Sequence, residues 1–105
     1  MTLVERIRAN DPELVTDVVM YPTSEGGKRC NASSGWHCLC MLSNMPPWEG
    51  HSGWPLLGAT LLEPGAAWRL GFVFQDGDPA AEVFRKAGHF FLWDGRVVGE
   101  AFVVA

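Results

Sequence analysis

Cys38 and Cys40 stand two apart in an apolar run, with Cys30 and His37 nearby in the chain, and thiolates with imidazole are ligands that zinc prefers. In a strand, positions 38 and 40 share one face about 7 Å apart. Structural zinc sites combine two close pairs of ligands, whereas here one pair is joined by a single distant cysteine. Buried, inert thiols are therefore the expectation, because free cysteine packs as a small apolar residue. A metal or thiol protein built on Cys30, Cys38 and Cys40 is the alternative. A hydrolytic set of Ser52, His51 and Asp94 can also be written down. No nucleophile elbow surrounds the serine, and nothing in the spacing brings Asp94 to the other two. Gly26-Gly27-Lys28 lacks both the leading glycine and the following hydroxyl of a P-loop, so GTP hydrolysis by that device is ruled out. His37 and His89 fall in apolar alternating runs and read as wall residues. The acidic residues sit at strand ends and turns, not in pairs suited to acid and base work. No enzyme and no cofactor is expected.

The elements that carry these residues are read from length and periodicity. A chain of 105 residues is one domain with one core. With 48% hydrophobic and 19% charged residues it has the composition of a packed globule. A net charge of −4 disfavours binding that rests on neutralising phosphates. Three cysteines, an odd number, suit a reducing compartment. Without an export signal or a run of about eighteen apolar residues, a cytoplasmic protein that does not enter membranes is expected.

Alternation with period two dominates after the first dozen residues. Leu14–Tyr21 reads as a first strand ended by Pro22. Trp36–Leu42, apolar on both sides, reads as a central strand. Ser43–Gly58, crowded with Pro46, Pro47, Gly50, Gly53 and Pro55, reads as the longest irregular segment. A short strand is expected at Ala59–Leu62, closed by the Pro64-Gly65 turn. Another carries Trp68, Leu70, Phe72 and Phe74 on one face, and Asp76-Gly77-Asp78-Pro79 is taken to break it. Ala80–Lys86 fits a weak helical turn or an edge strand, and context assigns it to the strand. His89–Trp93 and Arg96–Val104 flank Asp94-Gly95, the dipeptide of a type I′ hairpin. Thr2–Asn10 fits a short helix or an extended lead-in. The expected fold is all-β: a small closed antiparallel Greek-key barrel of about six strands at 14–105, preceded by a lead-in at 1–13.

Several of these turns occur in a spacing seen elsewhere. Asp17-Val18-Val19-Met20-Tyr21, then Gly26-Gly27-Lys28, then Ser34-Gly35-Trp36 before an apolar strand, resembles the opening of the third domain of elongation factor Tu. Glu63-Pro64-Gly65 is similar to that family's Met-Pro-Gly-Asp turn. The stretch from His89 to Gly99, through Asp94-Gly95-Arg96, resembles its closing hairpin, with one glycine where the family has two. The resemblance implies a translation-factor-like β-barrel, standing alone without its GTPase half. It also implies tRNA contact through Lys28, Gly95 and Arg96, to which neighbouring Arg29 adds a further cation.

Five tryptophans are many for this length. Trp36 and Trp68, in alternating series, read as core, and Trp93 as half covered. Trp48 and Trp54, in the Pro/Gly-rich segment with Pro47 and His51, fit either a lid on the barrel or a contact with a partner, since tryptophan anchors interfaces. The functional expectation is a non-enzymatic binding module that docks on a protein partner through Trp48, Trp54, Pro47 and His51. The alternatives are an RNA-contacting barrel using Lys28, Arg29, Gly95 and Arg96, and the metal or thiol protein.

Overall fold

Leu14–Met20 (β1) alternates buried Leu14, Thr16, Val18 and Met20 with more exposed Val15, Asp17 and Val19, so one face of the strand enters a core. Its two neighbours close that core. The computed structural model, which describes residues 1–105, pairs β1 with Ala67–Phe74 (β4) on one side and Val97–Val103 (β6) on the other. Cys38–Met41 (β2), His51–Pro55 (β3) and His89–Trp93 (β5) complete a closed barrel in the order β1-β4-β3-β2-β5-β6, every pair antiparallel. Consecutive β2, β3 and β4 form a meander, and β1 lies beside β4 by a long connection. That is a Greek key.

Leu3–Arg8 (α1) is a short helix started by Thr2, whose Oγ1 accepts from the Glu5 N–H at 3.1 Å. Arg6 anchors it to the barrel. Its guanidinium donates to Glu13 Oε2 at 2.9 Å and to the carbonyls of Phe74 at 2.8 Å and Gln75 at 3.2 Å. Glu13 in turn accepts the Phe74 N–H on Oε1 at 2.8 Å, and its carbonyl accepts from Arg85 at 2.7 Å.

Asp78–Ala87 (α2) corrects the edge strand assigned to Ala80–Lys86. Pro79 begins this helix instead of merely breaking the strand before it: a proline in the first turn gives up an N–H that would be unpaired anyway. Gly88, at φ +78°, ends it. Ala80, Ala81 and Phe84 are buried, and the Phe84 ring lies 4.5 Å from Phe90 and 5.3 Å from Phe74, centre to centre. The helix thus packs on the aromatic centre of the barrel, with Phe72 5.5 Å from Phe90.

Other boundaries also differ. The irregular segment expected at Ser43–Gly58 is interrupted by β3, which leaves loop at 42–50 and again from residue 56, and Trp54 lies in a strand. β3 pairs closely because Gly53 has no side chain. A Cβ there would meet Cys40 Sγ at 2.8 Å and the Phe74 ring at 3.1 Å. The strand expected at Ala59–Leu62 reduces to one bridge between Ala32 and Leu62. The β5–β6 hairpin is a three-residue connection, Asp94–Arg96, in which only Gly95 has positive φ (+76°). It is not the two-residue type I′ turn expected. Trp68 corrects the core reading: at the exposed start of β4 it is 49% accessible.

Candidate functional site

After β2 the chain leaves the barrel as the loop 42–50 and returns at β3. Gly50 brings the loop back against the Cys40 carbonyl, where any Cβ would collide. Between this loop and α2 lies a groove of about 490 Å³. Its apolar lining is Leu42, Met45, Pro46, Pro47 and Val83, over Phe84 and Cys40. Phe84 and Cys40 are buried, whereas Met45 is 66% and Leu42 55% exposed. Water therefore covers aliphatic surface that a folded monomer has no internal reason to display.

The polar lining is Ser43, Glu49 and His51. The His51 ring is held from two sides: Nδ1 meets Asp76 Oδ2 at 2.8 Å, and Phe84 lies edge-on with centroids 5.8 Å apart. A carboxylate behind an imidazole orients it as in a proton relay, but the expected partners do not assemble. Asp94 is engaged at the β5–β6 turn, and Ser52, adjacent to His51 in β3, points to the opposite face of the strand, where it shares a shallow cleft with Asp94 but not with His51. Ser43, which does line the groove, accepts the Met45 N–H on its hydroxyl at 3.2 Å. Of the four residues expected to contact a partner, Pro47 and His51 line the groove. Trp48 leans on Trp93, ring centroids 6.2 Å apart, and Trp54 stacks on His37 at 5.0 Å on a separate surface beside Ile7 and Leu56.

The Gly26-Gly27-Lys28 and Asp94-Gly95-Arg96 turns converge. Asp94 Oδ2 accepts from Trp36 Nε1 at 3.0 Å and from Lys28 Nζ at 3.1 Å, with Lys28 5.1 Å from the centre of the Trp36 ring. Trp36, read as core, is half-buried and serves as this donor. The Trp36 hydrogen bond, and after it Lys28, hold the Asp94 carboxyl below its ordinary range against the opposing effect of burial. The double glycine has two separate causes. Gly26 adopts φ +90°, and Gly27 lies so close to the Tyr21 carbonyl that a side chain has no room. Around this cluster Gly27, Lys28, Arg29, Asp94, Arg96 and Val98 line a shallow cleft of about 290 Å³, and Arg29 and Arg96 are exposed and form no ion pair.

The cysteines divide. Cys30 is exposed, while Cys38 and Cys40 are buried with their sulfurs 4.0 Å apart. Burial, and secondarily Cys38, push the Cys40 thiol well above its usual range, which keeps it protonated and a poor nucleophile or ligand. No group of three His, Cys, Asp or Glu side chains is placed to hold a metal ion. No helix is long and apolar enough to cross a membrane.

Sequence reasoning missed Leu42, Met45, Pro46 and Glu49 of the loop, and Asp76, Val83 and Phe84 at and before α2, as site residues. The apolar positions 80, 81 and 84 carry the helical spacing that marks α2, and reading 76–79 as a terminator hid it. Compared with known protein families and with characterised proteins, the chain matches none.

Proposed function

We propose that this barrel is a non-enzymatic binding module that docks a protein partner in the groove between the loop 42–50 and α2. The observation that carries the reading is the gathering of exposed Leu42, Met45, Pro46, Pro47 and Val83 around one concavity. Buried aromatic packing beneath makes the floor rigid, while the Met45 thioether supplies an adaptable rim. The protonated thiol of Cys40 and the engaged hydroxyl of Ser43 favour binding over covalent chemistry. The resemblance to the elongation factor Tu barrel supports the same class, since there too the barrel binds and another domain does the chemistry. A benzophenone side chain at position 83, irradiated in native cell extract, is expected to capture a protein that the same group at position 19, on the outer face of β1, does not. Equal labelling from both positions, or none from position 83, defeats the reading.

A second reading, a barrel contacting tRNA, is favoured by the convergence of Lys28, Arg29, Gly95 and Arg96 on one cleft. Asp94 opposes it, because its carboxylate already neutralises Lys28. Filter binding of tRNA at low salt tests it: salt-sensitive retention lost in Arg29→Ala/Arg96→Ala supports RNA contact, and no retention removes it.

A further inference from the structure

The fixed charge on the polar side of the groove is negative. Glu49 lines it as a carboxylate. Asp76, a carboxylate, accepts from the His51 Nδ1 that it meets at 2.8 Å. The lining contains no lysine or arginine. On the flanking helix, Arg85 is committed to Glu82 and to the Glu13 carbonyl. An acidic groove side beside an aliphatic floor is complementary to one kind of surface.

We infer that the occupant is a peptide segment carrying arginine or lysine next to a bulky apolar residue. The apolar side chain seats on Phe84, Val83 and Pro46, and the cation lies toward Glu49 and the His51–Asp76 pair. This rests on the docking reading above and specifies the partner's chemistry. An anionic segment at the same place would bring its charge against Glu49 and Asp76 with no lysine or arginine in the lining to meet it; Lys86 of α2 is exposed but is not among the lining residues. An uncharged one would leave their field uncompensated.

The test is selection of a random twelve-residue peptide display library on the immobilised full chain, with Val83→Glu and Glu49→Gln/Asp76→Asn variants alongside. All the substituted side chains are exposed, and unchanged thermal unfolding of each variant confirms that the fold is kept. The expected result is enrichment of peptides pairing Arg or Lys with Trp, Phe, Leu or Met, abolished by Val83→Glu. Binding of a synthesised winner should fall about fivefold to tenfold in the double charge variant, and it should weaken as salt is raised. Enrichment of neutral or acidic peptides that still depends on Val83 overturns the cationic assignment and leaves the groove. Absence of any Val83-dependent enrichment overturns both.

Discussion

Asp94 shows how one side chain converts two distant turns into a single structure. It receives the Trp36 indole N–H and the Lys28 ammonium, and its lowered pKa means that the folded state favours the charged form. A carboxyl lowered on folding stabilises above its unfolded pKa, and that stability is lost as pH falls through the folded value. At neutral pH Asp94→Asn should therefore cost about 0.5–1 kcal/mol, modest because the site is half open to water. The gap to the wild type should narrow progressively as pH falls below the ordinary carboxylate range. Urea unfolding of both proteins across that fall in pH checks this, and a gap that does not change with pH contradicts it. At this scale the chain was partly legible. The glycines at 26, 27 and 95 announced tight turns, but nothing in the spacing told that Trp36 would turn its N–H outward to Asp94. That depends on where two turns meet in space.

Among the elements, α2 governs the candidate site, since it supplies Val83 to the wall and Phe84 to the floor. Phe84 belongs equally to the core, packed on Phe74 and Phe90. Phe84→Ala should accordingly destabilise by about 3–5 kcal/mol, whereas the exposed Val83→Glu should stay within about 0.5 kcal/mol of wild type. Chemical denaturation separates the two, and similar losses would show that Val83 is no surface residue. The strands β1, β5 and β6 were legible because branched and aromatic residues alternate along them. β3 was not, because His51-Ser-Gly-Trp-Pro has no β-branched residue and is held by the close approach that Gly53 allows. The helix was obscured for the opposite reason: its starting proline is also a strand breaker, and local sequence does not separate the two roles. Losing the helix lost the groove.

For the whole molecule, closure is the governing fact. Pairing β1 with both β4 and β6 closes the barrel, which leaves little sheet edge for a strand added from a partner. Side-chain surface dominates the outside of the barrel, and the groove is the concavity whose lining is richest in exposed aliphatic residues. The barrel architecture was legible from evenly punctuated alternation, but how its outer surfaces are furnished was not, because it depends on where loops and α2 come to rest. Trp48 and Trp54 illustrate this: near in sequence, they face different neighbours, Trp93 and His37.

The Arg6–Glu13 clamp carries a consequence of its own. Glu13 holds the Phe74 N–H, Arg6 holds the Phe74 carbonyl, and Arg85 of α2 reaches the Glu13 backbone. Although residues 1–13 read as a lead-in, this segment acts as a latch joining the first helix to the end of β4 and to the helix that walls the groove. Arg6→Ala should cost about 1–2 kcal/mol. In native-state hydrogen exchange it should speed deuterium uptake at Phe74 and along α2 while leaving the β1–β6 seam protected. Uniform acceleration everywhere would mean that the latch acts only on global stability. Local acceleration would make residues 1–13 a remote control on groove rigidity, and a shortened protein lacking them one with a loosened groove.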